Sequence, residues 1–136
     1  MGADFVRRVL DELQPQRIEH GVRSLEDPGV IAEIKCRGIA LDVCPISNHK
    51  LMPGVTLANH PIRQLFDAGV KVTVSTDDPL SFGNTLADEY TALVEQRGFT
   101  RKELVRLARN GFEVALMTDA QKQPWLDRLD EVLASK

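Results

Sequence analysis

The chain has 136 residues, of which 43% are hydrophobic and 27% are charged, and its formal net charge is -3. This composition predicts a single globular domain over residues 1–136. The lysines and arginines are scattered and no run of 18 apolar residues occurs, so neither a nucleic-acid partner nor a membrane partner is indicated.

Helical and strand patterns alternate along the chain. Residues 3–13 place apolar side chains on one face and predict a first helix. Three strand-and-helix units follow, with strands at 17–21, 39–45 and 70–76 and helices at 30–38, 60–69 and 85–98. Two further helices are predicted, the first opened by a capping box from Thr100 to Glu103 and the second with Trp125 on its apolar face. The connections 46–59 and 77–84 are predicted to be loops.

Strands and helices that recur at intervals of about 30 residues indicate parallel strands joined by helical crossovers, which is the α/β class. A complete (β/α)8 barrel needs about 250 residues and eight strands, so part of such a barrel is predicted here. Its outer strands would keep unpaired edges, from which self-association is expected. A flavodoxin-like domain is the alternative α/β fold, but the sequence has no Gly-rich phosphate loop.

The two cysteines are expected to be reduced thiols. Cys36 and Cys44 fall at a predicted helix end and in a predicted strand, and their spacing matches no disulfide or metal motif. Both are therefore predicted to be partly buried, and a cytoplasmic location is favoured.

Polar side chains follow the predicted strands at their carboxyl ends. His20 follows the first strand, and Asp77 and Asp78 follow the third. In parallel α/β folds these ends meet at one edge, so His20 and Asp77 are expected within reach of one metal ion or one water molecule. The alternative for the two aspartates is a turn or helix cap before Pro79.

Two further groups follow the strands or open the helices. Ser47 and Asn48 end the "CPISN" run, where they can make hydrogen bonds or simply cap a loop. His49 and His60 are expected to be exposed or capping residues and are not assigned to a site.

Four segments together resemble the adenosine deaminase family, the zinc-dependent (β/α)8-barrel hydrolases that remove the 6-amino group of purines. They are "RIEHGVRSLEDP" (17–28), "VCPISN" (43–48), "HP" (60–61) and "STDDP" (75–79). Their order and spacing resemble the last three βα units of the family barrel, followed by carboxyl-terminal helices. The resemblance implies an enzyme acting on a small purine, first of all adenosine.

The resemblance also implies roles for individual residues. Asp77 would be a zinc ligand that helps to take a proton from the attacking water, and Asp78 would hydrogen-bond the purine at N7. His20 would orient and stabilise the nucleophile, with zinc as the cofactor.

The sequence departs from the family pattern at several ligands. The family's His-x-His pair, its third zinc-binding histidine and the glutamate that protonates the ring are absent. A catalytic zinc typically has three protein ligands, so the chain is expected to be an inactive carboxyl-terminal part of a deaminase. The alternative is a non-catalytic half-barrel that pairs through its sheet edges. Glu19 resembles the adenine deaminase-like branch of the family, whereas "STDDP" resembles the adenosine branch. The two features conflict, so adenine stays an alternative substrate.

Overall fold

The computed structural model describes residues 2–135 and contains one sheet of three parallel strands. The strands are β1 (Arg17–Glu19), β2 (Ala40–Val43) and β3 (Lys71–Val74). The helices are α1 (Ala3–Leu13), α2 (Pro28–Cys36), α3 (Pro45–Leu51), α4 (Ile62–Asp67), α5 (Pro79–Phe82), α6 (Leu86–Arg97), α7 (Arg101–Val114) and α8 (Asp119–Ala134). Short 3₁₀ turns lie at Val22–Glu26 and Leu57–Asn59. The predicted α/β class is confirmed.

The strands lie side by side in sequence order, so their carboxyl ends meet at one edge of the sheet. Ile18, Leu41 and Val72 are register partners and belong to the core under the helices. Because successive side chains in a strand point to opposite faces, the next residue of each strand lies on the other face. Those residues are Glu19, Asp42 and Thr73.

The core is built from the helices on one face of the sheet. Its largest fully buried hydrophobic side chains are Leu10, Ile34, Leu41, Ile62, Leu65, Leu93 and Leu107. Burying an aliphatic side chain of this kind stabilises the fold by about 1.5–3 kcal/mol. The helices therefore hold the strands in place, and the opposite face is left for polar groups.

The last helix packs less completely. Trp125 stacks on Phe112 with ring centroids 5.6 Å apart, yet Trp125 stays 53% exposed. Its predicted apolar face is thus only partly covered by described residues. Within residues 2–135, no helix combines the length and hydropathy needed to cross a bilayer.

Both connections predicted to be loops contain helices, which corrects the sequence prediction. In the first, Pro45 occupies the opening turn of α3, where its missing N–H costs no hydrogen bond and its φ is preset for a helix. In the second, Asp78 caps α5, Pro79 follows it, and Gly83 ends the helix with φ +68°. These helices have seven and four residues, which is too short for hydrophobic periodicity to reveal them.

Asp42 joins all three strands on the polar face of the sheet. Arg17 of β1 donates to Asp42 Oδ2 from Nε at 2.9 Å and from Nη2 at 2.7 Å. Thr73 of β3 donates its hydroxyl to Oδ1 at 2.5 Å. The Asp42 side chain is only 5% exposed, so its charge depends on these donors.

We expect Asp42→Ala to lower the free energy of unfolding by about 2–3 kcal/mol, because it leaves Arg17 and Thr73 without their acceptor. Thr73→Val is the matched control, since it keeps the ion pair and removes one hydrogen bond, for a loss of about 1 kcal/mol. Urea unfolding of the three proteins measures both losses. Equal losses in the two variants would show that Asp42 does not tie the strands together.

Candidate functional site

His20 lies at the carboxyl end of β1 on a strained backbone. Its φ is +58°, a value that residues other than glycine rarely adopt. The His20 N–H donates to the carbonyl of Asp42 at 2.8 Å, which fixes the turn against β2. Gly21 follows with φ +65°, and a Cβ there would lie 2.8 Å from Leu41 Cδ2. The tight turn therefore holds the ring of His20 at the strand ends.

Asp77 lies beyond the carboxyl end of β3 with φ +59°. Within residues 2–135 the non-glycine residues with positive φ are Gln14, His20 and Asp77. Such backbone costs about 1–3 kcal/mol per residue and is concentrated at functional sites. Two of these three strained positions are thus the two catalytic residues proposed from the sequence.

The strand ends bring His20 and Asp77 together. The Nε2 atom of His20 lies 3.6 Å from Oδ2 of Asp77, and each side chain is about one-third exposed, at 34% and 32%. Ser47, from the first turn of α3, donates its hydroxyl to the same Asp77 oxygen at 2.6 Å. The carboxylate is therefore held in place while it stays open to solvent.

Asp78 has a different environment. Its carboxylate accepts hydrogen bonds from the N–H of Ser81 at 3.1 Å and from the Ser81 hydroxyl at 2.5 Å. These bonds lower its pKa, the hydroxyl contributing most. Asp78 caps α5 as the local sequence alternative predicted, and its proposed purine contact stays a prediction.

Behind His20 lies a residue that the sequence analysis did not assign to the site. His60 was expected to be exposed or capping; it is fully buried rather than exposed, but its Nδ1 does accept from the Ile62 N–H at the start of α4, at 3.1 Å. Its Nε2 lies 3.1 Å from Asn48 Oδ1, and Asn48 Nδ2 lies 3.2 Å from Nδ1 of His20. His60 is carried inward because α4, which it precedes, packs its Ile62 side chain in the core. The signal available in the sequence was the "HP" pair at the start of that apolar helix.

Glu89 of α6 is a second buried group that the sequence did not reveal. It accepts hydrogen bonds from the N–H of Ile46 at 3.1 Å and from Asn84 Nδ2 at 2.7 Å. Burial raises its pKa. The Ile46 contact anchors the turn that presents Ser47, so Glu89 supports the site from behind.

The described residues offer two places for a cation. One is the exposed carboxylate of Asp77, beside His20. The other is a group of Glu19, His20 and Cys44, whose ligand atoms lie within 4.8 Å of one another. Burial, with the negative charges of Glu19 and Asp77, raises the pKa of Cys44 to about 12. Since metals bind the thiolate, Asp77 is the better ligand.

The predicted environment of the cysteines is half correct. Cys44 is buried at the strand ends, where its thiol lies 3.7 Å from Glu19 Oε1. Cys36 is exposed rather than partly buried, because it lies at the last residue of α2 on the solvent side.

Comparison with known proteins points to one family. The sequence model of the Adenosine deaminase family matches residues 1–132. An adenine deaminase of Sphingopyxis alaskensis is 41% identical over 127 residues, which are 93% of this chain and 37% of that protein. An adenine deaminase of Rhodopseudomonas palustris is 41% identical over 132 residues, which are 97% of this chain and 38% of that protein.

Solved structures agree with the sequence match. The adenine deaminase of Arthrobacter aurescens superposes with a TM-score of 0.94 at 33% identity, covering 99% of this chain and 41% of that one. An amidohydrolase of Burkholderia ambifaria with bound Zn gives a TM-score of 0.81 at 27% identity, covering 99% and 40%. The predicted partial (β/α)8 barrel is confirmed, and the chain spans about two-fifths of these structures.

His60 makes stability depend on pH. Burial, and to a lesser degree the charge of Arg97, lowers its pKa to about 4. Between pH 6.5 and 4 the unfolded chain then binds a proton that the folded chain does not, so stability falls as pH falls. The loss reaches about 3 kcal/mol. We expect His60→Gln to remove the contribution of His60 and so to reduce the fall in stability, as measured by urea unfolding across that range.

The exposed His49 provides the matched control for this prediction. His49→Gln should keep the same pH dependence as the unaltered chain. If His60→Gln and His49→Gln gave the same slope, His60 would not be the buried neutral group described here.

Proposed function

Since the chain belongs to the adenosine deaminase family, we propose that its strand ends form part of the active site of a purine deaminase. Such an enzyme replaces the exocyclic amine of a 6-aminopurine with oxygen from water and releases ammonia. The observation that carries the proposal is the meeting of His20 and Asp77, 3.6 Å apart at the ends of β1 and β3.

Adenine is the substrate that we propose. The relatives that are 41% identical are named adenine deaminases. Glu19, directly before His20, is exposed at the mouth of the site, where it adds a negative charge and a hydrogen-bond acceptor. Adenosine stays the second candidate because of the resemblance of the "STDDP" segment.

Zinc is the cofactor that we propose, with Asp77 as one of its ligands. The residues fit this part of a site, since the carboxylate is exposed, ordered by Ser47 and next to a histidine. A bound zinc ion supplies Lewis-acid activation of water at near-neutral pH. A catalytic zinc typically has three protein ligands, and residues 2–135 bring only Asp77 into this position.

The chain's own residues then have separate tasks. Asp77 Oδ2 can take the proton of the attacking water, because the carboxylate is 32% exposed at the strand ends and lies 3.6 Å from His20 Nε2. His20 Nε2 faces the same space and orients the attacking oxygen. Ser47 donates to Asp77 and keeps the carboxylate from rotating away. Asp78 is proposed to hydrogen-bond the purine at N7.

A non-catalytic half-barrel is the second candidate, because β1 and β3 each have one edge without a strand partner within residues 2–135. Light scattering coupled to size-exclusion chromatography separates the two. A discrete, zinc-free dimer would favour the half-barrel. A monomer or an aggregate would favour a part of a deaminase barrel.

We expect the isolated chain to release no ammonia from adenine or adenosine. A chimaera should be active, in which residues 1–136 replace the matched 127-residue segment of the Sphingopyxis alaskensis enzyme. In this chimaera, Asp77→Asn should lower kcat/KM for adenine by about 1000-fold and His20→Gln by about 100-fold, as expected for groups that transfer or orient a proton.

His49→Gln serves as the matched histidine control and should leave the activity of the chimaera unchanged, because His49 is exposed and its Nδ1 lies 3.2 Å from the carbonyl of Val55 rather than at the strand ends. A folded, zinc-loaded chimaera that deaminates neither purine would contradict the proposed function. Undiminished activity of Asp77→Asn would contradict the assigned role.

A further inference from the structure

A line of side chains runs from the core to the strand ends. His60 contacts Asn48 at 3.1 Å, Asn48 contacts His20 at 3.2 Å, and His20 faces Asp77 at 3.6 Å. His60 is fully buried and Asn48 is 4% exposed, so water has little access to the inner contacts. Each contact therefore needs one donor and one acceptor.

The donor and acceptor roles of the His60 ring, at the buried end of this line, are fixed by the backbone. The backbone N–H of Ile62 donates to Nδ1 of His60 at 3.1 Å. A backbone N–H can only donate, so Nδ1 of His60 must be unprotonated. The lowered pKa of His60, about 4, keeps the ring neutral near pH 7. Its single ring proton is then on Nε2, which faces Asn48.

That proton fixes the orientation of the Asn48 amide. The Nε2–H of His60 needs an acceptor, so the Asn48 atom that it meets must be Oδ1. The amide nitrogen Nδ2 then faces Nδ1 of His20. An amide NH₂ only donates, and Nδ1 of His20 must accept.

We propose that His60 and Asn48 are positioning residues that hold neutral His20 in the tautomer with its proton on Nε2. The donor and acceptor roles are set first by the Ile62 N–H. They are passed on through the side chains of His60 and Asn48 to His20, whose Nε2 faces Asp77. The tautomer follows from the geometry alone. Its catalytic meaning rests on the proposed deaminase function.

The tautomer of His20 determines which chemical roles His20 and Asp77 can take. With its proton on Nε2, neutral His20 donates a hydrogen bond into the space beside Asp77, and its lone pair at Nδ1 is covered by Asn48. His20 therefore orients and stabilises an oxygen that carries negative charge, and it does not act as the base. The proton of the attacking water goes to Asp77.

Asn48→Asp tests the proposal because it changes one NH₂ group into an acceptor. The carboxylate can still accept from His60, but it must also accept from His20, which moves the His20 proton to Nδ1. Long-range ¹H–¹⁵N correlation spectra of the full chain, at a pH of about 8.5 where an ordinary histidine is neutral, show which ring nitrogen carries the proton. We expect Nε2–H for His20 in the unaltered chain and Nδ1–H in Asn48→Asp.

Two variants of His60 provide a test that does not add a charge. His60→Gln keeps an N–H donor toward Asn48 and should keep Nε2–H at His20, whereas His60→Leu removes the donor and should give a mixture of tautomers. Gln121→Glu, an amide-to-carboxylate change in the exposed capping box of α8, controls for the added charge and should leave His20 unchanged. A His20 ring protonated on Nδ1 in the unaltered chain would overturn the proposal, even if every variant failed to fold.

Deaminase assays on the chimaera test the positioning role of His60 and Asn48 separately from the proposed deaminase function. In an active chimaera, Asn48→Asp should lower kcat by about 100-fold with little change in KM, because His20 loses the Nε2–H that stabilises the attacking oxygen. The predicted tautomers in a chimaera without deaminase activity would refute the function alone. An active chimaera whose His20 tautomer does not respond to Asn48→Asp would refute the positioning role alone.

Discussion

The parallel register of β1, β2 and β3 is the constraint on which the rest of the structure depends. It places the residues that follow each strand at one edge of the sheet, so His20 and Asp77 meet although 57 positions separate them in the sequence. Asp42 strengthens this register from the polar face by bonding to both neighbouring strands. A slip of one residue would turn Asp42 into the apolar core and separate the two catalytic candidates.

The backbone of the site is strained at two residues, and hydrogen bonds to buried groups stabilise this conformation. His20 and Asp77 both have positive φ, which is uncommon for residues other than glycine, although Asp and His adopt it more readily than most. Hydrogen bonds to buried groups oppose this cost: the Ile46 N–H, in the turn that carries Ser47, donates to Glu89, and His60 Nε2 bonds to Asn48 Oδ1. Rigid support from behind lets the exposed side chains keep one geometry before any ligand is bound.

The sequence predicted the parts of the fold that follow from periodicity. The α/β class, the order of the strands and the capping box at Thr100 were correct because apolar spacing and cap chemistry act locally. The helices α3 and α5 were missed because they are too short to show periodicity, and because they begin with local features, Pro45 in the first turn of α3 and the Asp78 cap of α5. His20 and Asp77 could be paired only because parallel strand ends must meet. The role of His60 could not be predicted, since its burial depends on how α4 packs and on contacts with residues distant in sequence.

Crystals of the chimaera grown with zinc test the central claim most directly, because anomalous scattering at the zinc absorption edge locates the ion without reference to activity. We expect an anomalous peak bonded to the Asp77 carboxylate, with the His20 ring facing the same space and Cys44 not coordinated. A peak bonded to Glu19 and Cys44, or no peak near Asp77, would contradict it.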